Sequence, residues 1–264
     1  MSTTPLPPDR ALTVHHHGAE GVAHPGERGW EVELHGGAGG LDVATASRLL
    51  DDLVQTIGDH GGGPVRWRVP DASAEHHQIA TAAGLAPTRR LVQMRRSLPV
   101  PHTTDLDTRP FEPGRDDEDW LRINNAAFAW HPEQSGWTRQ HLRDHEDEPW
   151  FDPNGFLVHP PTGPLLGFCW TKVHHDLDPP LGEIYVIAVH PDATGRGLGR
   201  ALVLAGLEHL AGLGLDTAML YTEADNRPAV ALYEQLGFTV HHTVTVFERD
   251  VPAQIPTPMA EPIP

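Results

Sequence analysis

Residues 183–200, EIYVIAVHPDATGRGLGR, constrain the fold of this chain more than any other segment. A near-continuous apolar run passes through a Pro-containing turn into a glycine-rich loop. The loop leads directly into ALVLAGLEHLAGLG, a helix-forming stretch. An apolar run of this kind reads as a strand in the middle of a sheet, covered on both faces. A strand delivered through glycines to a helix N-terminus is also an anion site, because loop and first-turn N–H groups point outward and the helix dipole favours negative charge there. Glycine lets the backbone approach a phosphate closely, having no Cβ in the way. The segment therefore implies a layered α/β fold and a phosphorylated ligand, with Glu183 at the head of the strand close to whatever reacts.

Composition narrows the classes of function. The 264 residues suffice for one large domain or two small ones. A formal net charge of −17 argues against nucleic acid, whose phosphates need Lys and Arg surfaces, and suits a neutral or cationic small molecule. A single cysteine, Cys169, excludes an internal disulfide and fits a reducing cytoplasm. No apolar run is long enough to span a bilayer, and the N-terminus has no basic region followed by an apolar stretch. The 19 histidines are scattered, with neither HExxH nor zinc-finger spacing, so no metal is expected; His15, His16 and His17 read as part of a polar tail, with metal binding by the three as the alternative. The expectation is a cytoplasmic monomer acting on small molecules, without a nucleic-acid or membrane partner.

Periodicity divides the chain. Residues 1–29, rich in Pro, Gly and His, read as a disordered tail. A first folded part covers 30–100: a strand at WEVELHG, a helix over 41–57, a strand at VRWRV, a helix over 72–83 ended by Gly84, and a strand over 90–97. PVPHTTDLDTRP makes 101–107 a linker. A second part covers 108–250. Its helices lie around Trp120 and over 137–144, the latter with Thr138 as candidate N-cap. GFLVHP and LLGFCWTKV form a hairpin, EIYVIAV the central strand, and 198–213 the following helix. AMLYT, a helix over 228–236 and a strand over 239–248 complete it. Residues 251–264 form a Pro-rich tail. Alternating strands and helices mean an α/β layer fold with a mixed sheet.

The two parts are related internally. With Gly84-Leu85 placed on Gly237-Phe238, VRWRV falls on AMLYT, helix 72–83 on helix 225–236, and LVQMRR on the final strand. Ala80 then falls on Tyr233, and GGAGG at Gly36 only echoes the glycine loop. The first part is a reduced, structural copy of the second.

The second part resembles the GCN5-related N-acetyltransferases (GNATs), in which a strand is followed by Gln/Arg-x-x-Gly-x-Gly/Ala and a helix. Here the loop reads Thr194, Gly195, Arg196, Gly197, Leu198, Gly199, with Thr in the first position, and ADNRPAVALYEQLGF follows at family spacing. The tandem layout, FAWHPEQSGW, GFCWTKVH, GEIYVIAV and LYTEADN are similar to the mycothiol synthase family, closely over 108–249 and loosely over 30–100. Cys169 stands where that family tends to have His. The resemblance implies a GNAT-type mixed sheet flanked by helices, in a tandem repeat whose N-terminal copy is reduced. It implies transfer of acetyl from acetyl-CoA to the cysteine amine of a cysteinyl-glucosaminyl-inositol. The same chemistry on another amine (an aminoglycoside, a polyamine or a protein N-terminus) and a non-catalytic acyl-CoA-binding protein remain as alternatives.

Acetyl transfer to an amine needs a base, an oxyanion donor, an acid for the leaving thiolate and two aligned substrates. Glu183 is the candidate base, or else a binding group for the substrate ammonium. Tyr233 is the candidate acid, a phenol suited to protonating a thiolate, or else a core side chain. The backbone of Ile187, Ala188 and Val189 is expected along the pantetheine arm, with an N–H near Val189 as oxyanion donor. Thr194, Gly195, Arg196, Gly197, Leu198, Gly199 and Arg200 are expected to hold the pyrophosphate. Asn226 reads as an amide-binding group or a helix cap, with Arg227, Pro228, Ala229, Val230 and Ala231 lining the arm. By resemblance, Glu133, Lys172 and Tyr221, together with Glu183, contact the acceptor. Trp130, Trp137 and Trp170 read as core residues rather than sugar-stacking ones.

Overall fold

The computed structural model describes residues 10–26, 28–37, 40–131 and 134–254. The chain forms two compact units. One takes residues 1–92, 223–225 and 242–264, the other 93–222 and 226–241.

In the first unit, β1 (Leu12–His16) and β2 (Ala19–Gly26) form an antiparallel hairpin, and β2 pairs with β3 (Gly29–His35). The helix α1 (Val43–Asp59) follows, then β4 (Gly63–Pro70), α2 (Ala74–Ala82) and β5 (Ala86–Ser97), which runs on into the second unit. The tail expected over residues 1–29 is thus replaced, from Leu12 to Gly26, by two strands. Its alternation is real: Ala19, Gly21 and Ala23 are buried while intervening side chains are not. The His-Gly pair at the turn, His17 at φ +48° and Gly18 at φ +78°, has the left-handed backbone a tight hairpin needs. Composition hid this, because small Ala and Gly residues carry the buried face. Leu53 on α1 packs there, and a Cβ on Gly21 would sit 3.0 Å from its Cδ1. β3 and β4 run parallel, paired at Trp30↔Val65, Glu31↔Arg66 and Val32↔Trp67.

The second unit carries β6 (Arg109–Pro110), α3 (Asp117–Ala127), α4 (Arg139–Glu146), β7 (Phe156–His159), β8 (Gly167–His174), β9 (Leu181–Val189), α5 (Leu198–Gly212), β10 (Thr217–Glu223) and α6 (Arg227–Gln235). The last strand, β11 (Thr239–Val251), begins in this unit. The expected cap Thr138 is in place, its side chain accepting from the His141 amide. Around β9 the order is β10, β9, β8, β7, β6, with β9–β10 parallel and β9–β8–β7–β6 antiparallel. Phe111, Trp120, Phe156, Phe168 and Trp170 form the core on the α3/α4 face, each at most 1 % exposed. Burying one such ring stabilises the fold by roughly 1.5–3 kcal/mol.

The observed division differs from the expected one at its end. From His242 the last strand belongs to the first unit, because Val244–Val251 pair antiparallel with Pro70–Gly63. Residues expected in the Pro-rich tail are also ordered at their start. Val251 ends β11, and the Gln254 amide donates to Gly58 O at 2.8 Å; the remainder of that tail lies outside the described residues.

The internal similarity has a geometric counterpart. In one copy the Leu85 amide donates to Ala80 O (2.8 Å) beside Gly84 at φ +72°. In the other the Phe238 amide donates to Tyr233 O (3.0 Å) beside Gly237 at φ +82°. Both are helix ends closed by a left-handed glycine.

Candidate active site

The site grows from β9. Its ladder with β10 pairs Ala218 with Gly182 and Met219 with Glu183, while β9 runs on to Val189 and β10 to Glu223. Glu183 therefore stands at the last paired step, and the backbone of Ile187, Ala188 and Val189 lies beyond it. On the other side, β8 pairs with β9 through an irregularity: Thr171 faces Ile184, but Trp170 faces Val186. Tyr185 is the extra residue of a β-bulge. The bulge shifts the alternation along the strand. Ile184 turns toward α5, where its Cδ1 would lie 2.8 Å from a Cβ on Gly206, while Tyr185, Val186 and Ala188 pack with the aromatic core.

Glu183 is 7 % exposed, and its Oε2 lies 2.7 Å from His174 Nε2. Lys172 pairs directly opposite Glu183 in the register, yet its ammonium does not reach the carboxylate. It sits 4.2 Å above the Trp150 ring and 5.5 Å from that of Tyr185, a cation–π arrangement. Tyr221, two residues beyond Met219 on β10, projects to the same face as Glu183. Its hydroxyl accepts from Gln93 Nε2 at 2.6 Å, and Gln93 Oε1 accepts from Arg95 Nε at 2.7 Å. Strand pairing thus brings Glu183, Lys172 and Tyr221 onto one face. Glu133 lies outside the described residues.

The glycine loop has the open backbone that an anion cradle requires. Gly195 (φ +76°) and Gly197 (φ +78°) both adopt left-handed backbone, and nothing lies within 4 Å of where their Cβ atoms would be. Gly197 is the N-cap of α5 and supplies no side-chain cap. The first helical bond runs from the Ala201 amide to Gly197 O (3.1 Å), which leaves the amides of Leu198, Gly199 and Arg200 ahead of it. Thr194 turns its hydroxyl back onto Pro191 O at 2.8 Å, so its side chain is spent on its own turn. A groove of about 340 Å³ flanks the loop, lined in part by His159, Leu166, Arg196 and Gly197. The helix α1 of the first unit starts differently: Asp42 caps it, accepting from the Thr45 amide at 2.8 Å and the Thr45 hydroxyl at 2.9 Å.

Asn226 caps α6, its Oδ1 accepting from the Ala229 amide at 3.3 Å, with Arg227 and Pro228 in the first turn and Val230 and Ala231 in the next. Tyr233 lies further along α6 and is 7 % exposed, its ring 5.8 Å from Phe238. Burial, with a smaller contribution from the Cys169 thiol, pushes its phenol up to about 12. Its phenol is therefore protonated at neutral pH. Cys169 is itself fully buried, its thiol also pushed up to about 12.

His174, Gln93, Trp150 and Tyr185, which sequence reasoning did not single out, touch the expected residues Glu183, Tyr221 and Lys172. His174 was within reach, since it lies at the end of the quoted GFCWTKVH, two residues past Lys172 and hence on its face. Gln93 had no sequence signal, because its partner arrives through tertiary packing. Trp137 and Trp170 are core residues as expected, while Trp130 is 61 % exposed.

A parallel strand pair that parts at a carboxylate, with a glycine loop and open helix end beyond it, is the framework of an acyl-CoA-dependent N-acetyltransferase. Residues 118–238 match the Acetyltransferase (GNAT) family. The fold is that of a GNAT protein from Sphaerobacter thermophilus (TM-score 0.72, 19 % identity, covering 90 % of this chain and 78 % of that one). It is also that of a tandem GNAT protein from the clavulanic acid biosynthesis pathway (TM-score 0.68, 16 % identity, 95 % and 86 % covered). Sequence relatives are closer. The chain is 44 % identical to the mycothiol acetyltransferase of Thermomonospora curvata over 89 % of its length and 75 % of the relative's. It is 45 % identical to that of Streptomyces coelicolor over 88 % and 71 %. The chain belongs to the mycothiol acetyltransferase family and is an acetyltransferase. Among the described residues, no helix is long and apolar enough to cross a membrane.

Proposed function

We propose that the chain moves acetyl from acetyl-CoA to the cysteine amine of a cysteinyl-glucosaminyl-inositol, with Glu183 as base and Tyr233 as acid. The observation that carries this reading is the placement of Glu183. It is a buried carboxylate at the last paired step of two parallel strands, on the face that also presents Lys172 and Tyr221. The acceptor's ammonium meets Glu183 and loses a proton, which frees the nitrogen lone pair. The nitrogen attacks the thioester carbonyl, whose developing oxyanion is held by a main-chain N–H near Val189. As the tetrahedral intermediate collapses, the thiolate takes a proton from Tyr233, which is protonated at neutral pH, and the proton still on the nitrogen passes to the tyrosinate so formed, directly or through water, leaving a neutral amide and restoring the phenol.

Main-chain N–H groups of the cradle from Thr194 to Arg200 hold the pyrophosphate, and Asn226 with the residues to Ala231 borders the pantetheine arm. Thr194, with its hydroxyl turned inward, contributes backbone only. Lys172, Tyr221 and Glu133 supply donors and acceptors to the hydroxyls of a pseudodisaccharide. In this reading the first unit is a reduced, structural repeat, and the protein works as a monomer in the cytoplasm.

Thiol release from acetyl-CoA, measured against a panel of amines, tests the assignment. The cysteinyl pseudodisaccharide should exceed polyamines and aminoglycosides in kcat/KM; parity with a polyamine would point to another acceptor. Glu183→Gln should lower kcat at neutral pH by roughly 100-fold or more with little change in KM for acetyl-CoA. Wild-type turnover in that variant removes Glu183 from the base role.

A further inference from the structure

The reaction has a proton to dispose of. An ammonium and a thioester become an amide, a thiol and one free proton: of the two protons the nitrogen loses, one ends on sulfur and the other must leave the site. Glu183, as the base, holds the proton that must leave, and it has to return to the carboxylate state before the next turnover. Glu183 is poorly placed to do so alone, since its side chain is only 9 % exposed.

Its one hydrogen-bonding partner among the described residues is His174, with Nε2 2.7 Å from Oε2. The two are held by the hairpin itself. β8 and β9 pair Lys172 with Glu183 and His174 with Leu181, so His174 and Glu183 are diagonal neighbours on one face, within reach of long side chains. The His174 side chain is 22 % exposed and begins the turn that continues through the exposed His175 and Asp176. One nitrogen touches the buried carboxylate, while the other makes no bond to a described residue. The charged and titratable groups around the pair are few. On β8, Lys172 faces Glu183 but places its ammonium over Trp150 and Tyr185; on β9 the neighbour is Tyr185 itself; on β10 the residue paired with Glu183 is Met219, which does not titrate, and Tyr221 follows on the same face with its hydroxyl held by Gln93.

We propose that His174 is a positioning and proton-relay residue for this reaction. It orients the Glu183 carboxylate through Nε2, then accepts the proton Glu183 has taken and releases one from Nδ1 to solvent. The step balances: with imidazole in its Nδ1–H tautomer, Nε2 accepts the proton of the acid form of Glu183 to give carboxylate and imidazolium, Nδ1 loses its proton to water or buffer while Nε2–H holds the carboxylate, and solvent exchange of the Nε2 proton for one on Nδ1 restores the starting tautomer. The inference rests on the base role proposed for Glu183.

The test uses the full chain with acetyl-CoA and the cysteinyl pseudodisaccharide. His174→Gln and His174→Asn are prepared beside Glu183→Gln, and circular dichroism establishes that each is folded. The glutamine variant keeps an N–H donor for Glu183 but cannot relay. Its kcat should fall about 100-fold, KM for acetyl-CoA should change by less than about twofold, and added imidazole should restore turnover about tenfold without affecting the wild-type enzyme. A kcat within about threefold of wild type in a folded variant, or a fall that imidazole leaves untouched, overturns the relay. If Glu183→Gln is impaired and His174→Gln is not, the relay alone fails. If Glu183→Gln keeps full turnover, the base assignment fails and the relay with it.

Discussion

Replacing Gly206 by alanine should destabilise the protein, although alanine is the better helix former. Gly206 lies inside α5, where Gly→Ala ordinarily gains roughly 0.5–1 kcal/mol from helix propensity. Here the helix leans on the sheet through that missing side chain. An added Cβ would lie 2.5 Å from Cys169 Sγ, 2.8 Å from Ile184 Cδ1 and 3.4 Å from Thr171 Cγ2. Ile184 can swing its terminal carbon. Cys169 cannot retreat as easily, being a short side chain with 0 % exposure on a strand paired on both sides. Overpacking of this kind costs up to about 3 kcal/mol, so the net loss should be about 2 kcal/mol. That corresponds to a thermal midpoint roughly 5 °C lower for a domain of this size. Urea and thermal denaturation followed by circular dichroism measure it. The partner change supplies the control. Cys169→Ala alone should cost about 1 kcal/mol for the lost buried sulfur, but in the Gly206→Ala background it should relieve the clash. The double variant should therefore be more stable than the two losses added, by at least about 1 kcal/mol. A Gly206→Ala protein more stable than wild type, or strict additivity in the cycle, would refute the argument. Because α5 carries the anion cradle at its N-terminus, the same variant should also raise KM for acetyl-CoA.

The Cys169 thiol, buried and pushed up to about 12, should not react with a neutral-pH disulfide reagent until the protein is unfolded in denaturant; reaction at a free-thiol rate in the native protein contradicts that burial. Burial, with the charges of Asp117 and Asp147, pushes the Glu146 carboxyl up to about 7 from an ordinary 4.5. A folded-state pKa above the unfolded one contributes stability that is full below about 4.5 and lost as pH rises through about 7. Glu146→Gln should accordingly match wild type near pH 5 in urea midpoint and exceed it near pH 8, by under about 1 kcal/mol because the group is partly solvated; an equal gain at both pH values would show that titration is not the cause. Removing the bond that holds the Tyr221 hydroxyl, with Gln93→Ala, should raise the acceptor KM by about threefold to tenfold while leaving KM for acetyl-CoA unchanged, as initial-rate kinetics with each substrate varied will show.

Much of the second unit was legible because its signals are local. The run from Glu183 to Arg200 carries its own strand, turn and helix start, and it folds as β9, the loop and α5. Thr138 and Asn226 are caps that act within one helical turn. The correspondence of Gly84 with Gly237 survives as two helix ends with the same backbone bonds. What was not legible depends on partners remote in sequence. The strand over Ala19–Gly26 has a buried face of Ala19, Gly21 and Ala23, which no hydrophobic periodicity measures well, the strand over Leu12–His16 offers only Leu12 and Val14, and both are strands because they pair with each other, with β3 beside β2 and α1 against them.

The chain's residues alone determined the chemistry available: a carboxylate at the head of an apolar strand, a glycine loop free of Cβ atoms, a helix start without a side-chain cap, and a tyrosine on the helix that follows. Each is a property of a few consecutive residues and their backbone preferences. The tertiary structure decided which of these groups meet. The bulge at Tyr185 set which β9 side chains face α5 and which face the aromatic core, and only the register of β8 against β9 put His174 on Glu183. It decided too that Lys172, opposite Glu183, would rest its charge on two aromatic rings instead. Register and bulge position are settled by packing across strands, where a shift of one residue reverses every side chain, so they emerge only when the sheet is assembled.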